Sequence, residues 1–184
     1  MKKKRERIKG RTAAILGMVL MIGISTPIGM GVSLVRERNN VSDLYYGSYS
    51  TFGLLEDISY CSRSAANLAT LGGKYLSAED ACLTDLQKAV KVLETAQLPG
   101  EKADAYAELT IRVNAMYNAL SAENLSEQDE EYREELYADY SSGANLISYS
   151  DYNLRAAEFN ETFRRAPGRP IAVLLGVKEL ELFA

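Results

Sequence analysis

The longest apolar segment of the chain lies near its N-terminus. Residues 12–35 form an uncharged, mostly apolar run of 24 residues between Arg11 and Arg36. At ~1.5 Å per residue, a helix of this length reaches about 36 Å, enough to cross a hydrocarbon core of roughly 30 Å with some tilt. The pattern therefore predicts a transmembrane helix over residues 12–35. A cleaved signal peptide is the alternative that stays open.

A second long pattern runs from Ser126 to Arg165 and contains no proline. Acidic residues at its start and two arginines at its end suit the dipole of a helix. Apolar and small residues recur every three or four positions, which is typical of a bundle or coiled-coil seam. Those residues are Tyr132, Leu136, Tyr140, Gly143, Ile147, Ser150, Leu154 and Ala157. The pattern predicts a single helix of about 60 Å, at ~1.5 Å per residue.

Three further helices are predicted between these two segments. The first continues out of the membrane over residues 36–71, and Gly72–Gly73 marks its end. The clearest apolar stripe of this helix consists of Leu54, Ile58, Cys61, Ala65 and Leu68. Ser77 is the predicted N-cap of the second helix. Residues 98–100 (Leu-Pro-Gly) separate it from the third, which is expected to begin at Glu101.

These lengths and short loops predict an all-α fold. We expect an N-terminal transmembrane helix followed by an antiparallel up-down four-helix bundle with two long and two short helices. The chain then divides into a basic cytoplasmic tail (1–11), a transmembrane helix (12–35), a helical bundle (36–166) and an apolar C-terminal tail (167–184). The C-terminal tail has too few apolar residues to span a bilayer. It is expected to fold back onto the long helices, or to rest on the lipid interface beside them.

Charge is distributed unevenly along the chain. Residues 1–11 carry seven Lys or Arg and one Glu, a net charge of +6, and the whole chain has −4, so the remainder carries −10. The positive-inside rule then places the N-terminus in the cytoplasm and the bundle outside. An acidic body of this kind offers no basic face for nucleic acid, so nucleic acid is not an expected partner.

The chain contains no histidine. This composition excludes Ser-His-Asp and Cys-His nucleophile systems and metal sites that need imidazole. The acidic residues that follow Ser126 are interpreted as a solvated helix start, because their spacing does not match a calcium-binding loop. The sequence therefore predicts no enzymatic activity, no metal and no cofactor. Cys61 and Cys82 differ in level by roughly 9 Å along their helices, beyond the ~7 Å limit for a disulfide, and are expected to be free thiols.

The two short helices cover only the half of the bundle that is far from the membrane, so the paired long helices should leave apolar faces open. Membrane lipid, envelope or membrane proteins, and a second copy of the chain in a homo-oligomer are the partners that such faces suit. The candidate contact residues are Tyr45, Tyr49, Phe52, Tyr149, Tyr152, Asn153, Phe159 and Asn160. The two asparagines have a structural alternative, because seam asparagines fix helix register.

A small-residue face is also present in the predicted membrane helix. Ser25, Gly29 and Ser33 recur every four residues. Small residues at this spacing let two membrane helices approach closely. The three positions are therefore candidates for packing against another membrane helix.

Several motifs in this order resemble the LemA family. They are Leu-Val-Arg-Glu-Arg-Asn at 34–39, Asp-Tyr-Asn-Leu-Arg-Ala-Ala-Glu-Phe-Asn at 151–160, Ala-Pro at 166–167 and Ile-Ala-Val-Leu-Leu-Gly at 171–176. The resemblance covers essentially the whole chain and implies a membrane-anchored antiparallel helical bundle. The chain departs from the family pattern at Ala166–Pro167 and Gly176–Val177, where the family has Phe-Pro and Gly-Phe, so it resembles a divergent member.

The expected function is that of a non-catalytic scaffold or adaptor in the bacterial cell envelope. Its partners would contact the aromatic residues of the membrane-proximal helix pair. An extracytoplasmic helical bundle that senses a small ligand is the alternative.

Overall fold

A computed structural model describes the backbone of residues 2–165 and 168–184 and the side chains of residues 14–165 and 169–184. The all-helical prediction is confirmed, because these residues form seven α-helices and no strand. The helices are α1 Lys2–Tyr46, α2 Leu54–Tyr75, α3 Ala81–Thr95, α4 Pro99–Ser121, α5 Glu127–Ser148, α6 Tyr152–Arg164 and α7 Gly168–Leu174. The cationic side chains of residues 1–11 and the Ala166–Pro167 pair lie outside the described residues.

The predicted membrane segment is part of α1, which continues without interruption through Pro27. Its stretch Ala14–Tyr46 is long and apolar enough, by length and composition, to cross a membrane. A signal sequence near an N-terminus meets the same criteria. Most apolar side chains from Ile15 to Val32 are exposed, as expected for a helix whose surroundings are lipid rather than protein, whereas Leu34, Val41 and Tyr45 are buried.

The prediction of one helix from residue 36 to residue 71 is wrong. α1 ends at Tyr46, a tight turn covers residues 47–53, and α2 begins at Leu54. Gly47 has φ of +84°, a conformation that costs other L-residues energy because of their Cβ. A Cβ on Gly53 would lie 2.2 Å from the backbone nitrogen of Gly47, so the second glycine lets the two backbones approach.

The helix predicted over Ser126–Arg165 is also interrupted. α5 ends at Ser148, and α6 begins at Tyr152. The backbone N–H of Tyr152 donates to the Ser150 hydroxyl (3.3 Å), and the N–H of Arg155 donates to the Asp151 carbonyl (3.0 Å). Ser and Asp favour such helix starts because their short polar side chains compete with helical hydrogen bonding. The predicted pair of long helices, over residues 36–71 and Ser126–Arg165, is therefore absent from the described chain.

The chain divides into two compact units. Unit 1 comprises Met1–Asn39 and Phe159–Glu179, and unit 2 comprises Asn40–Glu158 and Leu180–Ala184. In unit 2, α2 packs against α3, α4 and α5, and α3 packs along α4. The predicted stripe of α2 is confirmed, because its members are among the buried core residues. That core includes Leu54, Ile58, Cys61, Ala65, Leu68, Leu86, Leu93, Leu109, Val113, Met116, Leu120, Leu136 and Tyr140.

The helix boundaries of unit 2 follow local capping. The Ser126 hydroxyl accepts from the N–H of Asp129 (3.1 Å), which confirms the predicted start of α5. The predicted N-cap Ser77 is wrong, since the carboxylate of Asp80 caps α3 by accepting from Cys82 N (2.8 Å). The predicted break at Gly72 is also wrong. Gly72 lies within α2, and a Cβ at this position would lie 2.9 Å from the sulfur of Met116 on α4. The glycine therefore allows these two helices to pack closely.

Candidate functional site

The turn between α1 and α2, residues 47–53, is a defined structure and is called the aromatic turn below. The N–H of Ser48 donates to the Thr51 carbonyl (2.9 Å), and the two hydroxyls of this pair hydrogen bond at 2.7 Å. Gly47 N donates to the Asp43 carbonyl (2.9 Å), which ends α1. With a glycine at each end and cross-bonds between, the turn holds its central residues in one backbone conformation.

This turn places large aromatic side chains in solvent. Tyr49 is fully exposed, and Phe52 has an exposed fraction of 89 %. Tyr46, just before the turn, and Tyr149, in the break between α5 and α6, are exposed by 60 % and 84 %. These four residues are called the aromatic set. Single exposed apolar side chains are normal on a protein surface, whereas large ones grouped within one turn, as Tyr49 and Phe52 are, mark contact surfaces.

A buried ring pair lies where the two helix breaks occur in unit 2. The Tyr45 ring lies 5.0 Å from the Tyr152 ring and 4.8 Å from that of Tyr46 (centroid distances), the latter edge-on. The Tyr45 side chain is buried, with an exposed fraction of 1 %. Among the described residues the Tyr45 hydroxyl has no hydrogen-bond partner. The pair therefore fixes the end of α1 to the start of α6.

Asn153 binds the C-terminus of its own chain. Its side-chain N–H donates to the Phe183 carbonyl (2.5 Å), and its side-chain oxygen accepts from the Phe183 N–H (2.7 Å). The Tyr152 hydroxyl donates to the Glu181 carbonyl. Residues 180–184, called the C-terminal latch, are thereby attached to the start of α6. The sequence predicts that Asn153 binds a partner or fixes helix register. In the structure its side-chain amide binds extended backbone 30 residues away in the same chain.

Further contacts hold the C-terminal latch within unit 2. Leu180 is buried, and the Phe183 ring lies 6.2 Å from that of Tyr106 on α4. The Glu181 carboxylate accepts from the N–H of Gly100 (3.2 Å), in the first turn of α4. A carboxylate at this position is favourable, because the first N–H groups of a helix have no intrahelical partner and carry partial positive charge.

The other predicted contact residues lie in unit 1. Phe159 and Asn160 are both buried, and the Phe159 ring lies 6.2 Å from that of Phe163. Asn160 has polar interactions of its own in this environment. The eight candidates therefore divide by burial: Tyr49, Phe52 and Tyr149 are exposed, Asn153 is partly buried, and Tyr45, Tyr152, Phe159 and Asn160 are buried.

The small-residue face of α1 remains exposed within the described chain. Ser25 and Ser33 are exposed, and a Cβ on Gly29 would meet no heavy atom within 4 Å. The close approach occurs instead at Gly31, where an added Cβ would lie 2.6 Å from Leu175 Cδ1. No periodic signal pointed to Gly31, because its partner comes from the apolar tail and not from a second long helix.

Two acidic side chains of α5 are engaged in local pairs. Asp129 accepts from the Tyr75 hydroxyl (2.6 Å) and the Lys74 ammonium (2.9 Å), and these contacts lower its pKa, the phenol contributing most. Glu134 pairs with Arg133 (2.6 Å), whose guanidinium lies over the Tyr117 ring. Within the described part of the chain no group of three His, Cys, Asp or Glu is arranged to hold a metal ion.

Comparison of the chain with protein-family models, with curated proteins and with solved structures finds no significant match.

Proposed function

We propose that this chain is a non-catalytic, membrane-anchored scaffold or adaptor protein related to the LemA family. In this proposal α1 is retained in the cell membrane, the N-terminus is cytoplasmic and unit 2 is extracytoplasmic. The seven cations before the apolar run support this orientation through the positive-inside rule. The contact surface is the aromatic set, and its partner is another envelope or membrane protein.

The proposal includes an antiparallel bundle of α2–α5 in unit 2. Two sets of contacts support opposite directions for α2 and α5. Lys74, near the end of α2, pairs with Asp129, near the start of α5. Cys61, in the first half of α2, donates to the Tyr140 carbonyl in the second half of α5 (3.6 Å). The loops that join α3, α4 and α5 are short, as in up-down bundles.

The observation that carries the proposal is the aromatic turn. Burying a side chain the size of Phe contributes about 1.5–3 kcal/mol, so a structured turn that leaves Tyr49 and Phe52 in solvent forgoes several kcal/mol of folding energy. Two glycines and the Ser48–Thr51 cross-bonds maintain that exposure. A partner that covers the two rings recovers this energy on binding, and aromatic side chains dominate such interfaces.

Length along α1 favours protein over lipid as the occupant. Tyr46 lies eleven positions after Val35, the end of the apolar run, on the same continuous helix. This is about 16 Å at ~1.5 Å per residue. The headgroup region adds only roughly 5–7 Å on each side of the hydrocarbon core. The aromatic turn is therefore beyond the depth at which interfacial tyrosines contact lipid.

Site-specific photo-crosslinking in intact cells tests the proposal. A photoreactive residue is placed at position 49 or 52 of the full chain, and the control is the same residue at Ile111, which is exposed on α4. We expect one shared protein adduct from positions 49 and 52, and its absence at 111. Adducts to lipid alone, or identical adducts at all three positions, would contradict the proposed surface.

A second measurement separates loss of the surface from loss of the fold. The crosslinker is placed at Tyr149 and combined with Y49S/F52S, or with the control pair V92S/I111S, whose side chains are exposed on α3 and α4. The first pair should abolish the adduct while far-ultraviolet circular dichroism stays unchanged. The control pair should leave both unchanged.

A further inference from the structure

The described part of the C-terminal tail in unit 1 ends in a compact apolar corner. α7 is followed by a turn in which Gly176 has φ of +67° and Val177 N donates to the Ala172 carbonyl (2.9 Å). Leu175 N and Gly176 N donate to the carbonyls of residues 171 and 173 (3.1 and 3.2 Å). These three backbone N–H groups are therefore paired internally, which removes part of the cost of placing the turn next to hydrocarbon.

Three consecutive apolar side chains of this corner are uncovered. The exposed fractions are 68 % for Val173, 85 % for Leu174 and 51 % for Leu175, whereas Ala172 is buried. At about 25 cal/mol per Å² of apolar surface, exposing such a cluster to water is unfavourable. Its size and continuity differ from the scattered single hydrophobic residues that are normal on a protein surface.

Two contacts with α1, both inside unit 1, fix the level of the tail along that helix. A Cβ on Gly31 would lie 2.6 Å from Leu175 Cδ1 and 3.4 Å from Ile171 Cγ2. Gly31 lies four residues before Val35, about 6 Å inside the apolar run at ~1.5 Å per residue. The apolar corner is therefore level with side chains of α1 that belong to the predicted membrane segment, such as the exposed Val32.

The polar end of the same tail is level with the charged part of α1. The Arg38 guanidinium donates to the Lys178 carbonyl (3.1 Å), seven residues further along α1 than Gly31. Next to it, Glu179 accepts two hydrogen bonds from Arg164 (2.9 and 2.6 Å). The apolar residues of the tail therefore lie level with apolar residues of α1, and the charged residues of the tail lie level with charged residues of α1.

We infer that the corner formed by residues 171–175 is a second membrane-binding site, inserted among the acyl chains at the end of the α1 span on the side of unit 2. The occupant is the lipid bilayer itself, and Val173, Leu174 and Leu175 supply the inserted surface. The inference rests on the membrane anchor in the proposed function, since α1 sets the depth of Gly31.

Depth-dependent fluorescence quenching tests the site in the full chain. The protein carries C82S, because Cys82 is the partly exposed thiol and Cys61 is buried. An environment-sensitive fluorophore is attached to a single cysteine introduced as L174C, and the protein is reconstituted into vesicles of phosphatidylcholine and phosphatidylglycerol. Matched variants carry the label at V32C, inside the span, or at K178C, at the polar end of the tail. Quenching is measured with spin-labelled lipid and with aqueous iodide.

The inference predicts that the L174C label is quenched by spin-labelled lipid at least half as strongly as the V32C label and is shielded from iodide, and that the K178C label shows the reverse. Iodide access at L174C with lipid quenching at V32C would overturn the inference and leave the anchor intact. Shielding of L174C from both quenchers would overturn it in favour of a protein occupant. Iodide access at both V32C and L174C would reject the anchor of the proposed function together with the second site.

Discussion

The aromatic turn can be tested by glycine substitutions whose effects have opposite signs in the two competing structures. The sequence pattern predicts a continuous helix through residues 47–53, whereas the structure has a turn bounded by Gly47 and Gly53. In a helix interior, Gly→Ala stabilises by about 1 kcal/mol. In the turn, the same changes add a Cβ where the backbone has no room for it.

The expected magnitudes follow from the two environments. Gly47→Ala places alanine at φ of +84°, which costs roughly 1–2 kcal/mol for an L-residue, and its Cβ would also lie 3.0 Å from the Thr51 carbonyl oxygen. Gly53→Ala places a Cβ 2.2 Å from the backbone nitrogen of Gly47 and 2.6 Å from the backbone carbonyl oxygen of Tyr45. These are backbone atoms that cannot rotate away, so we expect a cost of about 3 kcal/mol, the upper end of the range for overpacking.

Urea unfolding of the full chain in detergent micelles, followed by far-ultraviolet circular dichroism, measures these differences. With a slope of about 2 kcal/mol per molar urea, Gly47→Ala should lower the midpoint by roughly 0.5–1 M and Gly53→Ala by about 1.5 M. Gly73→Ala is the matched control, because Gly73 is helical and its added Cβ meets no heavy atom within 4 Å. This control should raise the midpoint by about 0.5 M or less. A rise for all three variants would refute the turn and restore the continuous helix.

Two further predictions concern the C-terminal latch and the core of unit 2. Asn153→Ala removes two hydrogen bonds to Phe183, about 1 kcal/mol each, so amide hydrogen exchange at Phe183 should accelerate roughly thirtyfold. The exposed Asn145 supplies the control Asn145→Ala, which should leave that rate unchanged; an unchanged rate in the first variant would show that the amide does not hold the tail. Burial raises the pKa of the Cys61 thiol to about 11, so iodoacetamide at neutral pH should modify Cys82 and spare Cys61 in the native protein and modify both in urea. Equal native labelling would contradict the packing of α2 against α5.

Hydrophobic periodicity predicted the helices of unit 2 because their burial repeats regularly. Ile58, Cys61 and Leu68 are all buried, as their spacing on α2 requires. The start of α5 at Ser126 was equally predictable, since its hydroxyl caps a helix whose first turn is acidic. These features depend on residues within a few positions of each other, and so a single sequence contains the relevant signal.

Breaks inside long apolar patterns were not predictable in the same way. Residues 47–53 include the glycine pair that permits the turn, but the better glycine signal, Gly72–Gly73, lies inside α2. The difference is tertiary, because Gly72 faces the Met116 sulfur, whereas Gly53 faces the backbone of Gly47. A glycine allows both a turn and a close helix contact, and the neighbour that decides between them is distant in sequence.

The candidate contact residues were selected by position on two long helices, and the breaks divide them into two groups. Residues that stay on regular helix, such as Tyr152 and Phe159, are buried, whereas Tyr49, Phe52 and Tyr149 lie in the interruptions and are exposed. Interrupting a helix removes the neighbours three and four residues away that would otherwise cover a ring. The exposure of Tyr49, Phe52 and Tyr149 therefore coincides with the two breaks.

The tail explains why other apolar faces of the long helices do not need a separate partner. The sequence pattern alone assigns no covering segment to the helix faces near Asn153 and along the membrane end of α1. In unit 2 the C-terminal latch occupies the first of these, and in unit 1 Leu175 packs at Gly31. Since the chain covers these surfaces itself, we assign other molecules to two surfaces that it leaves exposed, the aromatic set and the corner at Val173–Leu175. These two differ in composition, one being rich in tyrosine and the other purely aliphatic, and this difference is the physical reason for assigning a protein partner to the first and lipid to the second.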